Sequence, residues 1–220
     1  MRKLRKIEKP DILANNAHIW EESLTECIKQ GKEIPDSLRK KYSHKDVKEA
    51  LLKETHKKCA YCESLITHID YGDIEHIIPK SIFPEKTFEW ENLTIACGKC
   101  NQNKSNYYSE TLPLINPYLD NPEDEIIFYG PVPVYNSYKG RITISKLKLD
   151  RVDLLEKRAE KLKDISPLRL EYLNTKDELL KSYIYNDLLE YTNDSKEYSS
   201  MIRCALTDLE KPSMHEQVEL

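Results

Sequence analysis

Four cysteines in two equal spacings, Cys59-Ala60-Tyr61-Cys62 and Cys97-Gly98-Lys99-Cys100, are the residues of this chain best suited to hold an ion. A Cys-x-x-Cys turn lets two thiolates reach one ion, and two such turns complete a tetrahedral sulfur shell. Zinc suits that shell because it is borderline-soft and has no redox chemistry. With sulfur in all four positions the ion has no open site, so its expected role is structural. The gap between Cys62 and Cys97 is longer than in common zinc ribbons, which predicts an insert between the knuckles. The competing reading is a disulfide pair or four plain buried thiols. The start Met1-Arg2-Lys3-Leu4-Arg5-Lys6 has no apolar signal region and no apolar run is long enough for a membrane span. The expectation is therefore a cytoplasmic protein with reduced thiols. Cys27 and Cys204 stand apart and read as ordinary core or surface thiols.

The insert carries groups for a second kind of chemistry. Residues 73–78, Asp73-Ile74-Glu75-His76-Ile77-Ile78, read as a short strand ended by Pro79, and residues 92–96 as a second. A helix is expected to open at Asn101, directly after the second knuckle. Glu75 and Asn101 offer hard oxygen ligands for a Mg²⁺ or Mn²⁺ ion that keeps waters and takes a phosphate oxygen. His76, with an ordinary pKa near neutrality, suits general-base activation of water. Neighbours on a strand point to opposite faces, so Glu75 and His76 meet one substrate only where the strand end is irregular. The bland alternative makes Glu75-His76 an exposed strand pair and Asn101 a helix N-cap.

Glu75-His76-Ile77-Ile78-Pro79, Asn92-Leu93 and Cys100-Asn101-Gln102-Asn103-Lys104 together resemble the three blocks of the HNH endonucleases, the ββα-metal fold, in the variant closed by two Cys-x-x-Cys knuckles. The resemblance implies His76 as general base and Glu75 and Asn101 as ligands of a catalytic divalent ion. It implies Asn92 as the brace of the loop and of the base's orientation. Lys104 falls where the family often has a phosphate-facing base, with a solvated helix lysine as the alternative. Glu75 replaces the more usual Asp, and Asn101 the third histidine. Further blocks follow in order: Lys6 to Pro10 with Trp20, Lys58 to Glu63, Tyr71 to His76, Phe88 to Leu93, Leu114 to Tyr118, Gly140 to Ile144 and Leu149 to Val152. These resemble the PtuB-type HNH nucleases of Septu and retron-associated anti-phage systems. That likeness implies a nucleic-acid substrate (DNA favoured, RNA such as tRNA the alternative), a role in defence, and a PtuA-like ATPase partner. A rival of another class is a zinc-finger adaptor that keeps the fold without the chemistry.

The elements that must position these groups read as an α+β, mostly helical chain. The expected parts are a basic N-terminal helical region (1–57), the zinc-pinned ββα nuclease core (58–110), a loop and small β region (111–148) and a C-terminal helical region (149–220). Residues 1–12 read as an extended basic lead, weighed as a solvated tail against a binding arm. Apolar periodicity predicts an amphipathic helix from Ile12 to about Lys29, with Ile19, Trp20, Leu24 and Ile28 on one face. Ser43 and Asp46 predict a capping box for the next helix. Residues 126–128, 132–135 and 141–147 read as strands, and helices separated by Pro167 and Asn193-Asp194 follow. Residues 212–220 are polar and expected to fray.

Charged residues make up 33% of the 220 and glycines number only 5, which argues for a helix-rich soluble surface and against a turn-rich barrel. The net charge of −4 is unhelpful for a phosphate binder, but its distribution is more useful. Residues 1–60 hold 15 Lys/Arg and 10 Asp/Glu, a surplus of +5, so the remainder carries −9. A weak basic face near the finger and an acidic C-terminal part, read as the docking surface for the partner, are expected.

Overall fold

The computed structural model describes residues 1–66 and 72–211. Tyr71 of the Tyr71–His76 block and the polar residues 212–220 lie outside the described residues. The ordered elements are α1 (Asp11–Lys29), α2 (Asp36–Arg39), α3 (Lys45–Glu54), β1 (Asp73–His76), β2 (Leu93–Ala96), α4 (Gly98–Lys104), α5 (Pro122–Glu125), β3 (Ile126–Tyr129), β4 (Val132–Tyr135), α6 (Tyr138–Leu147), α7 (Val152–Asn174), α8 (Glu178–Glu190) and α9 (Ser199–Leu206). Two antiparallel pairs, β1 with β2 and β3 with β4, are the sheets among the described residues. The protein is thus α+β and mostly helical. One buried apolar cluster runs from Leu13 of α1 through Leu51, Trp90 and Ile95 at the finger to Leu188 and Ile202 of the C-terminal helices. No described helix is long and apolar enough to cross a membrane.

The N-terminal lead is not a solvated tail. The Leu4 amide donates to the Pro117 carbonyl, and the Trp90 indole donates to the Ile7 carbonyl. Lys6 sits between the rings of Trp90 and Tyr118, 4.1 and 4.3 Å from their centroids, and pairs with Glu54 at 3.1 Å. Arg2 is buried and ion-paired to Glu123 and Asp194. α1 buries Leu13, Trp20 and Leu24, whereas Ile19 and Ile28 face solvent.

Three local readings are corrected. α3 is capped by His44, whose Nδ1 accepts from the Asp46 amide, while the Ser43 hydroxyl donates back to the Lys40 carbonyl. Residues 141–147 are helix, not strand. Ser137 caps α6 by accepting from the Gly140 amide, and the buried positions Gly140, Thr143, Ile144 and Leu147 recur at helical spacing. A Cβ on Gly140 would stand 2.1 Å from the Glu125 carbonyl oxygen, so the glycine is there for close helix–hairpin packing and not for a turn. Pro167 lies inside α7 and does not divide it. Ile165 and Tyr172 bury on either side of it, and α7 packs on α8, so tertiary contacts outweigh the lost backbone bond.

Candidate active site and metal centre

The knuckle cysteines converge as their spacing requires. Cys59 and Cys62 lie on a turn closed by the Glu63 amide donating to the Cys59 carbonyl, and the Ala60 amide ties that turn to Ile95 of β2. Cys97 is the N-cap of α4 and Cys100 lies in its first turn, so the helix opens at Gly98, inside the second knuckle, and not at Asn101 after it. The four sulfurs lie within 4.8 Å of one another, with Cys62 and Cys97 at 3.8 Å. A tetrahedral zinc site with Zn–S bonds of about 2.3 Å has S···S edges of about 3.8 Å, so this donor set fits zinc. Burial pushes the Cys59 thiol up, whereas hydrogen bonds from the other thiols pull Cys62 down. A bound cation would draw all four to thiolate, leaving two negative charges in excess. Arg151 offsets that excess from 3.8 Å, its Nη1 donating to Cys100 Sγ. Nothing in residue type marks Arg151 in the sequence; its place in the Leu149–Val152 block is the one signal that could have found it.

Between the knuckles, β1 and β2 pair with Glu75 opposite Thr94 and His76 opposite Leu93, and α4 packs on β1. The alternation of the strand divides the groups. Asp73 and Glu75 are two residues apart and share a face, and that face receives α4. There the Asn101 Nδ2 donates to Asp73 Oδ2 at 2.9 Å, and its Oδ1, which no described residue engages, is the lone-pair donor. Lys104 is neither phosphate-facing nor solvated. It is 2% exposed, ion-paired to Glu75 at 2.5 Å and donates to the His76 carbonyl at 2.7 Å. Burial pushes the Glu75 carboxyl up, and the Lys104 ammonium opposes the shift.

His76 takes the other face. Its Nε2 lies 3.0 Å from the Thr87 carbonyl oxygen, which accepts only, so Nε2 carries the proton and Nδ1 keeps its lone pair. No described residue hydrogen-bonds that Nδ1. The Tyr42 ring makes a T-shaped contact with the imidazole at 4.6 Å, and Lys80 Nζ lies 3.8 Å from the Tyr42 ring centroid. Burial lowers the imidazole to about 4 despite the Thr87 contact, with Lys80 and Lys104 adding to the shift, so the ring is neutral at pH 7. Asn92 is buried in the loop after β1. Its Oδ1 accepts from the Ile78 amide at 2.7 Å, and its Nδ2 donates to the Ile78 and Lys86 carbonyls at 2.9 and 3.1 Å. One side chain thus ties the residues after His76 to the segment that carries Thr87. Asp73, Thr87 and Tyr42 were not singled out in the sequence. Period-two alternation from Glu75 points to Asp73, but only the fold brings the other two to the imidazole.

Hairpin, helix and sulfur cluster define the HNH class of nuclease domain, and residues 59–107 match the family model described as HNH endonuclease. Two curated relatives narrow the likeness, both named Septu protein PtuB. One, from Bacillus thuringiensis, is 34% identical over 110 residues, covering 50% of this chain and 43% of the relative. The other, from Bacillus mycoides (strain KBAB4), is 29% identical over 187 residues, covering 70% and 61%. Residues 59–107 therefore form an HNH endonuclease domain, and the chain as a whole is similar to these two PtuB proteins. The chain spans roughly half the length of the relatives it matches.

Proposed function

We propose that the chain hydrolyses nucleic-acid phosphodiester bonds in a divalent-metal-dependent reaction, as the nuclease of a Septu-type anti-phage system acting with a PtuA-like ATPase. The observation that carries the reading is the imidazole of His76, neutral, oriented by the Thr87 carbonyl and presenting an unengaged Nδ1. The defence role is drawn from the likeness to the two Septu proteins, and the ATPase partner from the family resemblance of the sequence.

Glu75 and the Asn101 Oδ1 are the hard donors that would hold Mg²⁺ or Mn²⁺, an ion that accepts two protein ligands and completes its shell with water and substrate oxygens. Bound there, the ion would supply charge neutralisation at the phosphate and at the departing oxygen; because Glu75 and His76 face opposite sides of β1, a phosphate reaches both only across the strand end, which falls at His76. His76 does the proton work. Nδ1 takes one proton from a water whose oxygen attacks phosphorus in line. The P–O3′ bond breaks, leaving 5′-phosphate and 3′-hydroxyl ends after the 3′ oxygen is protonated from solvent. The Nε2–H···O=C contact with Thr87 strengthens as the ring becomes cationic, which favours the transition state over the ground state. A low pKa keeps the ring in its base form at the cost of weaker basicity, a compromise that suits a site where an anionic phosphate arrives beside the ring. Asn92 holds the loop that sets this orientation, and Lys104 holds the Glu75 carboxylate and the His76 backbone.

Supercoiled plasmid and total RNA, incubated with the chain alone and with its partner in Mg²⁺ or Mn²⁺, test the proposal. Cleavage is expected to fall 10²–10⁴-fold in His76→Ala with zinc content and melting temperature retained. Wild-type cleavage by that variant refutes the base assignment. Cleavage of RNA alone assigns the alternative substrate, and no cleavage under any condition leaves the adaptor reading.

A further inference from the structure

A cleft of ≈770 Å³ lies between the N-terminal lead and the end of α3, against the first knuckle, and His76 is not among its lining residues. Its charges are of two kinds. The three acids that line it are neutralised within the fold: Glu54 by Lys6 and the Tyr118 hydroxyl, Glu63 by the Met1 ammonium and Ser200, and Asp194 by Arg2 and Arg203. The side chains of Lys3, Arg5 and Lys53 also line it, are exposed, and have no hydrogen-bond or ion-pair partner among the described residues. The lead is pinned by the ion pairs of Arg2 and Lys6 and by the Leu4 amide on the Pro117 carbonyl, while Lys3 and Arg5 between these anchors stay exposed and line the cleft with Lys53. A protein of net charge −4 thus holds a pinned cleft whose uncompensated charge is wholly positive.

From this placement we infer that the cleft formed by Lys3, Arg5 and Lys53 is a second nucleic-acid site, which grips the phosphodiester backbone away from the scissile bond. The inference rests on the nuclease reading for its ligand class and extends it with a site outside the ββα unit. Three unpaired cations held on a fixed backbone suit a polyanion, whereas a small phosphate would leave most of the cleft unfilled. Cations of this kind read no sequence, so the site supplies affinity and register, not specificity.

The test measures binding of a 30-base-pair duplex to the full-length chain in a His76→Ala background, comparing it with the same chain carrying Lys3→Gln, Arg5→Gln and Lys53→Gln. Each phosphate contact contributes about 0.9 to the slope of log affinity against log salt, so the triple variant is expected to flatten the slope by about 2.7. The affinity gap between the two proteins should then narrow roughly 40-fold between 50 and 200 mM salt. An equal charge loss on α7, Lys157→Gln with Lys161→Gln and Lys163→Gln, should leave the slope unchanged. If both triple variants shift it alike, or neither does, the site is refuted. Amine-reactive labelling of Lys3 and Lys53 gives a second readout that needs no variant. Protection by duplex supports the site, while equal labelling with and without duplex, or protection by polyglutamate but not by duplex, overturns it. Because the readout is binding, the two proposals fail separately. A chain that binds here and never cleaves sinks the nuclease reading alone, and one that cleaves with an unchanged slope sinks the cleft alone.

Discussion

Replacing Lys104 with Met should destabilise the domain more than any exposed lysine can, because its ammonium is the charge partner of Glu75. The pair is nearly dry, with side-chain exposures of 2% and 8% and a separation of 2.5 Å, and the same ammonium satisfies the His76 carbonyl at 2.7 Å. Met fills a similar volume, so the loss is electrostatic: a buried carboxylate without its cation and a backbone oxygen without its donor. Removing one member of a buried pair costs about 3–5 kcal/mol. At about 2–4 °C per kcal/mol for a chain of this size, the melting temperature should fall by roughly 6–20 °C. The deficit has a pH signature. Burial already raises the Glu75 carboxyl, and losing Lys104 raises it further. A group whose folded pKa is raised contributes stability below its unfolded pKa and loses it as pH rises, so the variant should lie nearest wild type around pH 4 and fall away toward neutrality. Glu75→Gln added to Lys104→Met removes the stranded charge and should recover part of the loss, a coupling that a double-mutant cycle isolates. Differential scanning calorimetry across pH 4 to 8 provides the measurement. A Lys104→Met protein that melts within about a degree of wild type at pH 7, or a double variant no more stable than the single, would falsify the claim that this ion pair sustains the finger.

Two further outcomes follow from the fold. Cys97→Ser should lose bound zinc, as read by elemental analysis, and unfold the ββα unit, since the free energy of a structural zinc site is folding free energy; an unchanged melting temperature with full zinc content would contradict the structural role. Gly140→Ala should cost several kcal/mol despite alanine's better helix propensity, because its Cβ would meet the Glu125 carbonyl oxygen at 2.1 Å, and urea denaturation checks the sign, with a neutral or stabilising result refuting the close approach.

What the sequence determined by itself was local. Equal Cys-x-x-Cys spacings dictate which sulfurs reach one ion, since two residues on a turn are bound to be neighbours. Period-two alternation across residues 73–76, with a helix expected beside the second knuckle, was enough to write the ββα order, although the helix starts at Gly98, inside the knuckle. The tertiary structure decided everything that depends on who lies opposite. Residues 141–147 have strand-like composition, yet the capping hydroxyl of Ser137 and the close seat of Gly140 on Glu125 make them helix. Lys104 carries the same charge as any surface lysine, and only the packing of α4 on β1 turns it inward to Glu75. The proton-bearing nitrogen of His76 is likewise absent from the sequence, because it is set by the carbonyl of Thr87, eleven residues on, which the Asn92 brace ties to the base. A side chain's chemistry is written in its type, but its protonation and direction are fixed by neighbours that only a folded chain supplies.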